Sequence, residues 1–206
     1  MSSLTEIATK HGTDKVCHKF TEVYAKAFEK LRDKPLHILE IGIWKGESLR
    51  TFKEYFPLAK IYGIDIHDKS QYIEDRIDIE RGDQSDTKFL ETVFPGIIFD
   101  IIIDDGSHHM HHQQISLEYL MPRLKEGGLY ILEDLHTSTN SWPMLGGGDD
   151  KPNTTLKLLN DLNSEKNLID HCFYIKDINK LKTQIKNLTV YYTRGMESIT
   201  SLIYKN

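Results

Sequence analysis

The sequence predicts an α/β fold: a mostly parallel sheet with helices on both faces, closed by an antiparallel hairpin at the C-terminal end. Three observations predict it. Short β-branched runs alternate with helical stretches, as right-handed βαβ crossovers require. The run from Gly96 to Asp104 is almost unbroken Ile and Phe, the pattern of a strand buried on both faces. Two late runs, Leu188 to Tyr192 and Ile199 to Tyr204, flank a turn at Arg194-Gly195 with no helix between them.

The elements follow in chain order. The first thirty residues read as helix, with Phe20, Val23, Tyr24, Ala27 and Phe28 forming one apolar stripe that Pro35 ends. Strands are expected at Leu36–Ile41, Lys60–Asp65, Ile77–Glu80, Gly96–Asp104 and Leu129–Leu132. Helices are expected at about Glu47–Tyr55 and His111–Leu124, the second bent or shortened by Pro122. Segment 138–153 is rich in Ser, Gly and Pro and reads as a mobile loop, followed by a helix at about Thr154–Leu162. With the hairpin, the sheet has seven strands. No internal repeat and no second domain is visible, so residues 1–206 are expected to form one domain.

Composition excludes several classes. Hydrophobic residues make up 39% and charged residues 28%, which is neither a disordered nor a membrane composition. Lys and Arg total 26 against 31 Asp and Glu, a net charge of -5 that ill suits nucleic-acid binding. No apolar run approaches the ~18–20 residues of a membrane span. The N-terminus lacks an apolar signal region, and Cys17 and Cys172 are too few for a disulfide framework. The expectation is a cytoplasmic protein with reduced thiols, in which the glycosylation patterns at Asn153 and Asn187 are chance.

Ligands of such sheets bind beyond the carboxyl ends of the strands. The residues there are Glu40–Gly46, Asp65–Asp68, Asp83–Asp86, Asp104–His109 and Glu133–His136, and every group is acidic. Glu40-Ile41-Gly42-Ile43-Trp44-Lys45-Gly46 is a strand-to-helix turn whose glycines permit close approach of a ligand. Asp65, at the tip of the next strand, suits the two hydroxyls of a ribose. A nucleoside cofactor is therefore expected, although any tight turn followed by a solvated Asp shares part of the pattern. A dinucleotide site wants glycine where Trp44 stands, and no Tyr-x-x-x-Lys pair is present. S-adenosyl-L-methionine needs no pyrophosphate room. Its sulfonium and ammonium suit Glu40, and Asp83-Gln84 could reach the adenine edge.

The second constellation is Asp104-Asp105-Gly106-Ser107-His108-His109 with Glu133-Asp134-Leu135-His136. Asp105, Glu133 and Asp134 would converge from neighbouring strands, with no Lys or Arg close in sequence. A hard divalent cation relieves such repulsion, and oxygen ligands suit Mg2+ better than Zn2+. Helix capping accounts for one of these acids but not three. His108, three residues after Asp105, can take a proton from a hydroxyl beside that cation. His108 and His112 also have the spacing of a helical zinc pair, but the Glu that a zinc protease needs is replaced by His109.

These motifs together resemble the magnesium-dependent class I methyltransferases that O-methylate sugars in macrolide and polyketide biosynthesis, including the mycinamicin, macrocin and rhamnosyl-tetracenomycin enzymes. The matching stretches are GTDK at Gly12–Lys15, LEIGIWKGESL at Leu39–Leu49, IYGIDI at Ile61–Ile66, GDQSD at Gly82–Asp86, FDIIIDDGSHH at Phe99–His109 and GGLYILEDLHTS at Gly127–Ser138. The resemblance runs from about residue 4 to 160. It implies a Rossmann-like fold in which the N-terminal segment 1–34 contributes to the cofactor site. It implies S-adenosyl-L-methionine near Thr13, Glu40, Gly42, Ile43, Gly46, Asp65, Ile66, Asp83, Gln84 and Asp104. It also implies Mg2+ on Asp105, Glu133 and Asp134, His108 as general base, and segment 138–153 framing a small sugar-containing acceptor. Those enzymes can carry an additional N-terminal domain, for which a chain of 206 residues is not expected to have room.

The sequence reading is thus a methyltransferase acting on a hydroxyl of a sugar or glycosylated metabolite, with no nucleic-acid or membrane partner and with a homo-oligomer compatible. The alternatives are N- or O-methylation of another small metabolite, including a surface-polysaccharide precursor, and an NAD-dependent sugar oxidoreductase, which Trp44 disfavours. A silent binding module is disfavoured by the complete acid set.

Overall fold

A computed structural model describes residues 2–164, 173–194 and 197–206. Cys172 and Gly195, for which a reduced thiol and a turn were expected, lie outside the described residues. Seven strands form one sheet in the order β3-β2-β1-β4-β5-β7-β6. They are β1 (His37–Ile41), β2 (Lys60–Asp65), β3 (Ile77–Arg81), β4 (Phe99–Asp104), β5 (Leu124–Leu132), β6 (Ile185–Thr193) and β7 (Ser198–Lys205). β1 to β5 are parallel, while β7 runs antiparallel between β5 and β6. The expected sheet and edge hairpin are both present.

Seven helices complete the described chain: α1 (Leu4–His11), α2 (Phe20–Phe28), α3 (Glu47–Tyr55), α4 (Thr87–Thr92), α5 (Met110–Leu120), α6 (Thr155–Leu162) and α7 (Ile178–Gln184). Apolar residues fill both faces of the sheet. One core takes Leu39, Ile41 and Ile102 with Leu117 of α5, Leu158 of α6 and Leu181 of α7. The other takes Ile38, Ile101 and Ile103 with Leu4, Tyr24 and Phe52 of α1, α2 and α3. Alternate residues of β1 and β4 feed opposite cores, as the period-two pleat dictates.

Four expectations are corrected. The strand expected from Gly96 starts only at Phe99, because the chain still turns at Phe94 and Gly96, both at positive φ. The N-terminal helix is broken: Gly12, at φ 82°, caps α1, Thr13 caps a short 3-10 turn at Asp14–Val16, and α2 begins only at Phe20. A left-handed residue ends a helix, and glycine adopts that conformation at little cost. The helix expected at His111–Leu124 ends at Leu120, with Pro122 in a 3-10 turn. The strand expected from Leu129 begins at Leu124, because Gly127, at φ 71°, lets β5 bend and resume its pairing with β4. Segment 138–153, expected as a loop, carries hydrogen bonds of its own: Gly148 N–H to Ser138 O at 2.9 Å, and Asn140 with Asp149 at 2.6 and 2.9 Å. No described helix is long and apolar enough to cross a membrane.

The register aligns the carboxyl ends. Ile41 pairs with Ile64 and Asp104, and Asp104 with Leu132. The order of strands reverses between β1 and β4, which opens a crevice there.

Candidate active site

The crevice is a cavity of about 540 Å³. Its floor is the β1–α3 turn. Gly42, at φ 86°, donates its N–H to Ile64 O at 2.8 Å, and a Cβ at that position would collide with the Asp105 carbonyl. Glycine is required there by both conformation and space. Asp65 holds the turn from β2: Oδ2 accepts the Ile43 N–H at 3.0 Å and Oδ1 accepts the His67 N–H at 2.8 Å.

Thr13, Gly42, Ile43, Asp65, Ile66, Asp83 and Gln84 line the cavity, together with Asp105, His108 and Asp134. Glu40, Gly46, Asp104 and Glu133 do not. Glu40 points from β1 beneath the turn, where Ser48 Oγ donates to Oε2 at 2.6 Å. Burial pushes its carboxyl up to about 7, against the pull of Lys15. Asp104 is fully buried and accepts hydrogen bonds from Ser116 Oγ and from Gln84 Nε2 at 3.1 Å; burial raises its carboxyl to about 6. Both therefore support the wall from behind. Gln84 is fixed twice, because Oε1 also accepts the Ser107 N–H at 2.7 Å.

The acidic cluster lies at the β4 and β5 ends of the cavity. One ligand atom from each of Asp105, His108 and Asp134 falls within 4.8 Å of the others. His108 is in the left-handed region at φ 58°, and Nε2 stands 3.5 Å from Asp134 Oδ2. Backbone strain of this kind persists only where the surroundings impose it. Asp134 is also left-handed, at φ 53°. His109 is the residue before α5, so His108 and His112 are not one helical turn apart; His112 Nδ1 lies 2.7 Å from Ser107 Oγ instead.

Sequence reasoning missed Lys15. The ammonium, on a side chain 2% exposed, lies 2.5 Å from Asp105 Oδ2 and 3.3 Å from Glu40 Oε1. It lies 2.9 and 3.0 Å from the two carboxyl oxygens of Glu133. Burial alone would lower its pKa, but Asp105, Glu133 and Glu40 outweigh burial and hold it well above the usual lysine value. One ammonium cannot balance four acids. Burial and the neighbouring Asp105 accordingly raise Glu133 and Asp134 above the ordinary carboxylate range. Asp134 Oδ1 and His108 Nδ1 are buried without a hydrogen-bond partner among the described residues. Surplus negative charge, an orphaned carboxyl oxygen and oxygen-rich donors fit a hard divalent cation.

Known proteins with this arrangement give it a context. The fold is similar to that of MycE, a methyltransferase of the mycinamycin biosynthetic pathway whose structure is in complex with Mg, SAH and mycinamycin VI, with a TM-score of 0.83 and 34% identity over all of this chain and 55% of that one. The fold is that of a class I methyltransferase. In sequence, the chain is 37% identical over 203 residues to mycinamicin VI 2''-O-methyltransferase of Micromonospora griseorubida, covering 92% of this chain and 50% of that enzyme. It is 40% identical over 169 residues to the 8-demethyl-8-alpha-L-rhamnosyl tetracenomycin-C 2'-O-methyltransferase of Streptomyces olivaceus, covering 77% of this chain and 44% of that enzyme. The chain resembles these sugar O-methyltransferases and spans about half the length of the curated relatives it matches. No protein-family model matches it. Within the methyltransferase fold, the turn after β1 and the tip of β2 form one half of the crevice, and the acidic cluster closes the other.

Proposed function

We propose that the chain transfers the methyl group of S-adenosyl-L-methionine to a hydroxyl of a sugar or glycosylated small molecule, with a divalent cation, Mg2+, bound beside the cofactor. The observation that carries this reading is the meeting of Asp105, His108 and Asp134 on one wall of the cavity whose other wall is Gly42, Ile43 and Asp65.

Thr13, Asp65, Asp83 and Gln84 orient the cofactor. Asp65 receives the ribose hydroxyls, and Gln84, held by Asp104, meets the adenine side. Asp105, Glu133 and Asp134 hold the cation, which when bound supplies Lewis acidity and offsets the repulsion among the acids. His108 Nε2 accepts the proton of the attacking hydroxyl. Holding methyl donor and hydroxyl in one crevice supplies much of the rate through orientation. The segment 138–153 frames the acceptor, with Trp142, 39% exposed, packed against His136 at 5.9 Å between ring centroids.

A second assignment of the ligands has its own support. Lys15 takes both oxygens of Glu133, whereas His108 sits within the cluster of Asp105 and Asp134. In that version His108 ligates the cation and Glu133 is a charged support.

The reading is tested by calorimetry with S-adenosylhomocysteine and NAD. Binding of S-adenosylhomocysteine without NAD is expected. Tight NAD binding alone would return the fold to the oxidoreductase alternative.

A further inference from the structure

The proposed reaction gives Lys15 no part, yet it is the most heavily paired cation of the site. Its carboxylate partners come from three strand ends: Glu40 on β1, Asp105 after β4 and Glu133 after β5. Its backbone lies in the turn that breaks α1 from α2. Thr13 caps that turn, and Gly12, Thr13 and Asp14 form part of the cavity wall, while Lys15 itself does not. The flanking residues are anchored elsewhere. Lys10 and His11 bind Glu54 of α3, His18 Nδ1 meets Ser198 Oγ at 2.7 Å, and Thr193 Oγ1 donates to His18 O at 2.6 Å. The side chain of Lys15 reaches from the turn into the sheet between these anchors.

We propose that Lys15 is a positioning residue that fastens the Gly12–Asp14 wall of the cofactor pocket to the carboxylates of the cation site. This rests on the reading of the cavity as a site for S-adenosyl-L-methionine. An ammonium needed only to balance the acids could have come from any strand neighbour. This one comes from the segment that walls the neighbouring pocket, so the position of that wall depends on the acidic cluster. Cofactor affinity then depends on a side chain that does not line the pocket.

The test is calorimetric titration of S-adenosylhomocysteine in EDTA, well below the unfolding temperature, together with amide hydrogen exchange. Lys15→Met is expected to weaken binding about tenfold or more, the scale of losing a partner one layer behind a site. Amides 12–16 should lose protection while those of β1 and β4 keep theirs. Lys15→Arg, which keeps the charge, should recover most of the affinity. Leu181→Ala, which opens a cavity in the core on the opposite face of the sheet, should lower the melting temperature and leave affinity unchanged. Wild-type affinity in Lys15→Met overturns the inference, as does an equal loss in Leu181→Ala. Should Lys15→Met fail to fold, Glu133→Gln removes one of its charged partners and should still raise exchange at 12–16; unchanged exchange overturns the inference. Absence of S-adenosylhomocysteine binding in the wild type would sink the pocket reading itself, and the inference with it.

Discussion

Replacing Asp65 by Asn tests the cofactor assignment where the geometry permits a magnitude. An ionised carboxylate offers about four lone-pair sites. Two of them are occupied, by the Ile43 N–H at 3.0 Å and the His67 N–H at 2.8 Å. Two remain for a pair of ribose hydroxyls, and the side chain is only 10% exposed, so water competes weakly for them. Asp65→Asn keeps the shape but turns one end into a donor. That end can no longer accept a hydroxyl, and it faces a backbone N–H as well. Losing that one charge-assisted bond to a hydroxyl, at ~1.5–3 kcal/mol, gives about a 10- to 150-fold rise in Kd, while the repulsion with the backbone N–H is present with and without ligand and lowers stability instead. Calorimetry with S-adenosylhomocysteine measures it directly, and circular dichroism checks that the fold survives. A change of less than about threefold in a folded protein would refute the ribose role of Asp65.

Three further outcomes are expected. His108→Ala should reduce turnover by ~10²–10⁴-fold as a general base would; unchanged Mn2+ affinity supports the base, and lost affinity supports the ligand version. Gly42→Ala should lower the melting temperature and impair cofactor binding, since it combines a positive-φ penalty of ~1–2 kcal/mol with a collision against the Asp105 carbonyl; scanning calorimetry with an unshifted transition would contradict the packing described. In the cation-free protein, Glu40 titrates near 7 folded against 4.5 in its ordinary state, so the folded form holds its proton longer and stability falls as pH rises through that window. The loss is on the order of 3 kcal/mol at most. Glu40→Gln should flatten that slope in urea titrations at pH 4.5 and 7, and an unaltered slope would assign it to another group.

Much of this arrangement is legible from residue order. The strand Lys60–Asp65 has the bounds that the apolar run predicts, and the acids fall at strand tips because the chain must turn there. Side-chain direction was harder to read. Glu40 was expected to face the ligand, yet on β1 it shares the parity of Ile38, and Ser48 of α3 takes it. Asp104 shares the parity of Ile102 and is buried under Ser116 of α5 for the same reason. His108 and His112 look like a helical pair only if the helix starts early, and it starts at Met110. Lys15 was hidden by distance along the chain, 90 residues from Asp105. Its trace in the sequence was indirect. Four acids gathered without a nearby cation require one from elsewhere, and the lysine of the GTDK stretch supplies it.

The proposed activity is a cation-dependent methyl transfer to a sugar hydroxyl. Its most direct test is transfer of labelled methyl from S-adenosyl-L-methionine to a panel of deoxyhexose glycosides, run with Mg2+, with excess EDTA, and with Mg2+ restored after EDTA. A labelled methyl ether is expected in the first and third reactions and none in the second. Full transfer in EDTA, or label on nitrogen acceptors only, would contradict it.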